Sequence, residues 1–232
     1  MNTLGNKTVI VTGATRGLGF ATAIELARRG AHVIALGRTV GGLEELDDEI
    51  AKTSGAATLA PLDLKDDPGM ERLGAAIHQR WGKLDLLVHC AIESAPMSPA
   101  EHIAAADLDK AIATNFRCVQ RLIRIVDPLL KAAEAPQAVF IDHPEVQGAK
   151  FNGAYGASKA AAHALVASYA AEAERIGPHV WLAAPRPMPT ALRARSYPGE
   201  DRAKLTPCAD MAEKLAIKIV AGDAVQGETF KL

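Results

Sequence analysis

The chain has 232 residues, 49% of them apolar and 23% charged, which suits one globular α/β domain spanning residues 1–232. Its 26 Lys and Arg residues against 27 Asp and Glu residues give a formal net charge of −1, and only 4% of the residues are aromatic. Nucleic acid is therefore not an expected partner, because its binding usually needs a basic surface and aromatic stacking.

The cysteines and histidines do not indicate a disulfide framework or a metal site. Cys90, Cys118 and Cys208 lie far apart without a CxxC pair, and the seven histidines lack the spacing of metal ligands. The first strand begins almost at once, with no signal-peptide pattern, and no apolar run reaches about 18 residues. We expect a cytoplasmic protein without a membrane anchor and without a bound metal.

Short β-branched or apolar runs alternate with longer helical patterns, which is typical of a parallel sheet buried on both faces. Strands are predicted at residues 8–12, 32–36, 57–62, 84–89, 137–142, 180–184 and 229–232. Helices are predicted at residues 17–29, 43–53, 69–81, 108–134, 154–176 and 210–221. The predicted fold is α/β, a Rossmann-like, doubly wound parallel sheet of about seven strands with helices on both faces.

The first strand ends in a glycine-rich turn, TGATRGLG at residues 12–19, that leads directly into the first helix. Glycines let the backbone turn tightly and approach a pyrophosphate, and the free N–H groups of the following helix favour negative charge. This strand–turn–helix context predicts a dinucleotide site. Its contacts are expected from Gly13, Thr15, Arg16, Gly17, Leu18 and Gly19.

The end of the second strand, Gly37-Arg38-Thr39, indicates which nicotinamide cofactor binds. NAD-specific folds place a carboxylate at this point to bind the ribose 2′-hydroxyl, and that carboxylate would repel a 2′-phosphate. Gly37 supplies no carboxylate, whereas Arg38 supplies a guanidinium and Arg16 is positioned to reach the same phosphate. The predicted cofactor is NADP(H), with Thr39 beside it.

Tyr155 and Lys159 are four residues apart on a predicted helix, so they lie on one face. A phenol has a pKa of about 10, and a nearby ammonium favours its ionised form. This pair is typical of acid–base chemistry: the tyrosine would protonate a developing alkoxide during carbonyl reduction, or remove the alcohol proton in the reverse reaction.

The TGxxxGxG turn together with Tyr155-Gly156-Ala157-Ser158-Lys159, a YxxSK motif, resembles the short-chain dehydrogenase/reductase family over nearly the whole chain. The resemblance implies an NADP(H)-dependent oxidoreductase of the carbonyl reductase or alcohol dehydrogenase type, acting on a small-molecule carbonyl or alcohol. It also implies that Lys159 holds the nicotinamide ribose and that Asn115 positions a water near Lys159. Further cofactor neighbours implied by the resemblance are Asp63 and Leu64 beside the adenine and Pro185 and Thr190 beside the nicotinamide.

Two parts of the family pattern are altered. No serine or threonine stands between Pro136 and Ala157, where the family has a catalytic serine, and either Asp142 or His143 takes its place. A histidine can donate a hydrogen bond to a carbonyl oxygen, whereas an ionised aspartate cannot. The family's NNAG segment near the ribose becomes His89-Cys90-Ala91-Ile92, so we expect Cys90, Ala91 and Ile92 to seat the nicotinamide half differently.

Five prolines between residues 185 and 207 predict a long loop, which by resemblance covers the substrate. The alanine-rich helices at 108–134 and 154–176 resemble the family's main subunit interface and predict a homodimer or homotetramer. The alternative to an active enzyme is a silent or weakly active protein that binds NADP(H) as a sensor or partner subunit. The missing serine, Ile92 and Arg186, which stands where the family usually has a glycine, favour this alternative. The retained Tyr155, Lys159 and Asn115 oppose it.

Overall fold

Seven parallel strands form one sheet in the computed structural model, which describes residues 3–232. The strands are β1 (Thr8–Thr12), β2 (His32–Gly37), β3 (Ala56–Pro61), β4 (Leu86–His89), β5 (Gln137–Ile141), β6 (His179–Ala184) and β7 (Thr229–Lys231). Their spatial order is β3-β2-β1-β4-β5-β6-β7. The chain winds outward in two directions from the junction of β1 and β4, which confirms the predicted doubly wound α/β fold.

Helices cover both faces of the sheet. Successive side chains of each strand point to opposite sides, so each face offers apolar side chains against which helices pack. They are α1 (Gly17–Arg28), α2 (Val40–Ile50), α3 (Asp67–Trp81), α4 (Ala105–Ile112), α5 (Cys118–Lys131), α6 (Gly153–Ala173), α7 (Ala191–Ser196) and α8 (Cys208–Ala221). Val9 and Val11 of β1 pack with α1, α2 and α8, whereas Ile10 packs with α3, α5 and α6. In the part of the chain that the structure describes, no helix has both the length and the apolar composition of a membrane span.

The long helix predicted at 108–134 consists of α4, a π-helical turn (Ala113–Arg117) and α5, joined end to end. Its start lies three residues earlier than predicted and its end three residues earlier. The π turn widens the helix around Asn115, and such turns are frequent at functional sites.

The segment predicted as a loop at 185–207 contains helix α7 and a 3-10 turn at Arg202–Lys204. Helix α7 lies between Pro189 and Pro198, where no proline interrupts the chain. The hydroxyl of Thr190 accepts a hydrogen bond from the Arg193 N–H at 3.1 Å and so caps the helix. Helix α2 also differs from its prediction, since it begins at Val40 rather than at residue 43. Gly41 and Gly42 have low helix propensity, so the helical pattern could be recognised only from residue 43 onward.

Candidate active site

A cleft of about 970 Å³ opens at the carboxyl ends of the strands, at the junction of β1 and β4. This is the position at which doubly wound sheets bind their ligands. Nearly all of the predicted site residues line it. They are Gly13, Thr15, Arg16, Gly17, Leu18, Gly19, Arg38, Thr39, Asp63, Leu64, Cys90, Ala91, Ile92, Asp142, His143, Tyr155, Pro185 and Thr190. Asn115 and Lys159 lie behind this surface.

The glycine turn packs directly against the end of β4. Gly13 and Gly17 have φ angles of +66° and +61°, which favour glycine. A Cβ atom on Gly13 would lie 2.8 Å from the Cα of Ala91, so any side chain there would collide with backbone. Glycine at position 13 thus lets the turn pack against the segment after β4, and the turn leads directly into the first N–H groups of α1, which favour negative charge.

Arg16 and Arg38 are exposed at the same end of the cleft. Within residues 3–232, neither guanidinium forms an ion pair with an acidic side chain. Asp63, by contrast, has a charged partner: its carboxylate lies 3.6 Å from the Nζ atom of Lys65. Lys65 also lines the cleft, and the sequence analysis did not single it out. The two arginines are thus available to an anionic ligand.

Tyr155 lies at the floor of the cleft, 5% exposed, and its hydroxyl is 3.4 Å from Nδ1 of His143. Burial raises the pKa of Tyr155, and the negative charge of Asp142 raises it further. Burial is also the main cause that lowers the pKa of His143, so the imidazole is neutral near pH 7 and can donate one N–H. Of the two candidates for the serine position, His143 is the one beside the tyrosine hydroxyl.

Asp142 points to a different set of partners. Its Oδ2 atom accepts a hydrogen bond from His163 Nδ1 at 2.8 Å, and its Oδ1 atom lies 3.7 Å from Lys159 Nζ. Lys159 Nζ itself donates to the carbonyl of Ile141 at 2.7 Å. Burial lowers the pKa of Lys159, and Asp142 acts in the opposite direction. His163 was not identified from the sequence, although its position four residues after Lys159 is a usable signal.

Asn115 holds three segments together from the π turn. Its amide group donates to the Glu93 carbonyl at 2.7 Å and to Ser158 Oγ at 2.8 Å, and its Oδ1 atom accepts the Glu93 N–H at 2.8 Å. Ser158 in turn donates to the carbonyl of Tyr155 at 2.7 Å. Both N–H donors and the oxygen of the side-chain amide take part in these contacts, so Asn115 fixes the start of α6 against the segment that follows β4.

The altered segment after β4 is built around a buried histidine. His89 Nδ1 lies 2.8 Å from the hydroxyl of Thr12, which also accepts the Ala91 N–H at 3.2 Å. Burial lowers the pKa of His89 to about 3, so the ring is neutral. Ile92 packs against a small apolar cluster that includes Tyr155, and burial raises the pKa of the Cys90 thiol to about 12. The segment after β4 is therefore held in place by contacts between uncharged groups.

The segment after β6 forms the remaining wall of the cleft. Arg186 and Arg195 are exposed there, whereas Arg193 donates two hydrogen bonds of 2.6 Å to Glu200. Cleft residues that the sequence analysis did not single out include Met188, Leu192 and Cys208. An irregular, proline-containing segment carries no periodicity that would have revealed which of its side chains face inward.

Residues 7–201 match the family model described as short chain dehydrogenase. The chain belongs to the short-chain dehydrogenase/reductase family. The curated relatives include the short-chain dehydrogenase/reductase FrzI of a Cladobotryum species, 32% identical over 174 residues, which are 72% of this chain and 64% of that protein. The NADPH-dependent pterin aldehyde reductase of Arabidopsis thaliana is 31% identical over 165 residues, 71% of this chain and 62% of that protein. The chain matches less than two thirds of the length of either relative.

Solved structures of the family superimpose on almost the entire chain. A protein from Shigella flexneri 2a described as a short chain dehydrogenase complexed with NADP has a TM-score of 0.92 at 28% identity, covering 99% of this chain and 98% of that one. A similarly described protein from Escherichia coli CFT073, complexed with NADPH, has a TM-score of 0.91 at 28% identity, with the same coverage.

Proposed function

We propose that the protein is an NADP(H)-dependent oxidoreductase that interconverts a small-molecule carbonyl compound and its alcohol. One observation carries the proposal: the Tyr155 hydroxyl lies in the cleft, 3.4 Å from Nδ1 of His143, on the same helical face as Lys159. A proton donor, a second hydrogen-bond donor and a cation at this spacing suit proton transfer to a carbonyl oxygen.

The residues of the cleft fit NADP(H). The N–H groups at the start of α1, after the glycine turn, would hold the pyrophosphate, and the Arg16 and Arg38 guanidinium groups would hold the 2′-phosphate. The bound cofactor would supply or accept a hydride. The neighbours that carry NADP and NADPH, and the NADPH-dependent relative, support this choice over NAD.

In the proposed reduction, Tyr155 donates its proton to the substrate oxygen while the N–H of His143 binds the same oxygen. An ammonium on the same helical face, that of Lys159, would favour the resulting phenolate. Asn115 keeps α6 in register with the segment after β4, so that Tyr155 and Lys159 remain aligned with the cleft.

The test is steady-state oxidation of NADPH across a panel of ketones, aldehydes and quinones, with Tyr155→Phe as the decisive variant. We expect turnover by the wild type and none by Tyr155→Phe, because the variant lacks the proton donor but keeps nearly the same volume. The dissociation constant of NADPH, measured by its fluorescence, should be nearly unchanged. Wild-type activity in Tyr155→Phe would contradict the tyrosine mechanism.

Cofactor choice is tested with single arginine variants. A charge-assisted hydrogen bond contributes about 1.5–3 kcal/mol, so Arg38→Ala and Arg16→Ala should each reduce the preference for NADPH over NADH by about 10-fold to 100-fold. Arg175→Ala, which removes an exposed arginine that does not line the cleft, is the matched control and should leave the preference unchanged. Equal affinity of the wild type for both cofactors would overturn the NADP(H) assignment.

A second candidate function is binding of NADP(H) without turnover, as in a sensor or partner subunit. It is favoured by the nearly complete burial of Tyr155, which raises the pKa of the phenol, and by Ile92 in the place of a glycine. Tight NADPH binding without turnover on any member of the panel would support this candidate and contradict the first.

A further inference from the structure

Helix α6 carries a third polar side chain in line with Tyr155 and Lys159. His163 follows Lys159 by four residues, so all three side chains lie along one face of the helix. The carboxylate of Asp142, at the end of β5, lies between the last two: 2.8 Å from His163 Nδ1 and 3.7 Å from Lys159 Nζ. Its side chain is 1% exposed, whereas that of His163 is 38% exposed. The chain of contacts therefore runs from the buried lysine to the surface.

The Asp142 carboxylate and the Lys159 ammonium stabilise each other as a buried pair of opposite charges. Oδ1 of Asp142 is buried and has no hydrogen-bond partner within residues 3–232. A buried carboxylate or ammonium is strongly destabilised unless it is paired, because neither retains its water. The removal of either partner would leave an uncompensated charge beside the cleft.

Four titratable groups that neighbour this pair are uncharged near pH 7. His89 and Cys90, at the end of β4, are both kept neutral by burial. His143 and Tyr155 are neutral for the same reason. Among the groups that act on Lys159 in the described part of the chain, Asp142 thus supplies the negative charge that opposes the effect of burial.

We propose that Asp142 and His163 are positioning residues for Lys159: the carboxylate keeps the amine protonated and in place, and His163 anchors the carboxylate. The inference rests on the proposed function, because in that function the charge of Lys159 favours the Tyr155 phenolate. It assigns Asp142 a task separate from that of the missing serine and adds a residue, His163, to the site.

The test measures the Lys159 amine directly, in the full cofactor-free chain, by NMR of ¹⁵N-labelled lysine between about pH 6 and pH 11, with Lys159→Arg to assign the signal. Asp142→Asn should lower the proton affinity of this amine at least about tenfold, which is one pH unit in its midpoint. Glu145→Gln, which removes the same charge three residues away, is the matched control and should not move the midpoint. An unchanged midpoint in Asp142→Asn would overturn the inference.

Variants at His163 keep the inference testable if Asp142→Asn fails to fold, because His163 lies near the helix surface. His163→Leu removes the hydrogen bond to Asp142; it should shift the Lys159 signal and lower kcat/KM about tenfold. His163→Gln retains an N–H donor and should restore most of both. A wild-type Lys159 signal and rate in His163→Leu would overturn the inference. Failure of the wild type to bind NADPH would contradict only the proposed function, because the amine is titrated without cofactor.

Discussion

His143 and Asp142 are adjacent in the chain, yet one contacts Tyr155 and the other contacts Lys159 and His163. Successive side chains at the end of a strand point in opposite directions, so a shift of one residue exchanges their surroundings. A count of residues back from Tyr155 points to Asp142, whereas alignment of the strand end points to His143, so the sequence left both open and the geometry separates their contacts.

Substitutions at His143 test its role in the proposed reaction. Loss of one preorganised donor to a developing oxyanion typically costs about 10²–10³ in rate, so His143→Ala should lose activity on that scale. His143→Ser should keep or exceed the wild-type rate, because it restores a hydroxyl donor. The measurement is kcat at saturating NADPH; an unchanged rate in His143→Ala would show that this side chain does not bind the substrate oxygen.

His89 gives the folded state a specific dependence on pH. Its pKa is about 3 in the folded chain and about 6.5 when unfolded, so below pH 6.5 the unfolded state binds a proton that the folded state does not. Stability from this group is complete above pH 6.5 and declines as the pH falls toward 3, by about 2 kcal/mol at pH 5.

Urea unfolding at pH 7 and pH 5 checks this dependence. The wild type should lose about 2 kcal/mol more than His89→Asn between the two pH values, since asparagine does not titrate. Comparison of the two losses cancels any difference in packing between the proteins. Equal losses would mean that His89 takes up its proton in the folded state at an ordinary pH.

At the scale of elements, apolar periodicity predicted the positions of the strands and the main helices but not the π turn at Ala113–Arg117. A π turn adds one residue to a helix without a change in composition, so the apolar pattern of the long helix conceals it. The contacts of Asn115 with Glu93 and Ser158 were hidden for a different reason, because they join segments far apart in the sequence.

Asn115→Ala should destabilise the fold by about 1–3 kcal/mol, because it leaves the buried Ser158 hydroxyl and the part-buried Glu93 N–H and carbonyl without their Asn115 partners. The free energy of unfolding in urea measures the loss. Asn152→Ala is the matched control: within residues 3–232 that side chain makes only an exposed hydrogen bond to the Lys150 carbonyl, so its loss should stay below about 0.5 kcal/mol. Equal losses of stability in the two variants would contradict the role of Asn115 in linking the π turn to the neighbouring segments.

For the whole molecule we predict a homodimer or homotetramer. The outward face of α6 carries a row of small, exposed side chains, Ala157, Ala164, Ser168 and Ala171, which would allow a second helix to approach closely. Ala164→Arg should lower the mass measured by light scattering at micromolar concentration, whereas Ala51→Arg, an exposed alanine at the end of α2, should not. A monomeric wild type would contradict the prediction.

Strands β1 and β4 meet across 77 residues of chain, the separation of Thr12 and His89, whose side chains lie 2.8 Å apart. A loop of that length must close before the strands pair, and such distant contacts form slowly during folding. The amino-terminal strands can assemble earlier through short crossovers, but the cleft does not exist until β4 joins them. A growing polypeptide thus acquires the cleft only after His89 has left the ribosome. A cofactor that binds only the closed sheet stabilises the finished molecule and does not guide its earlier steps.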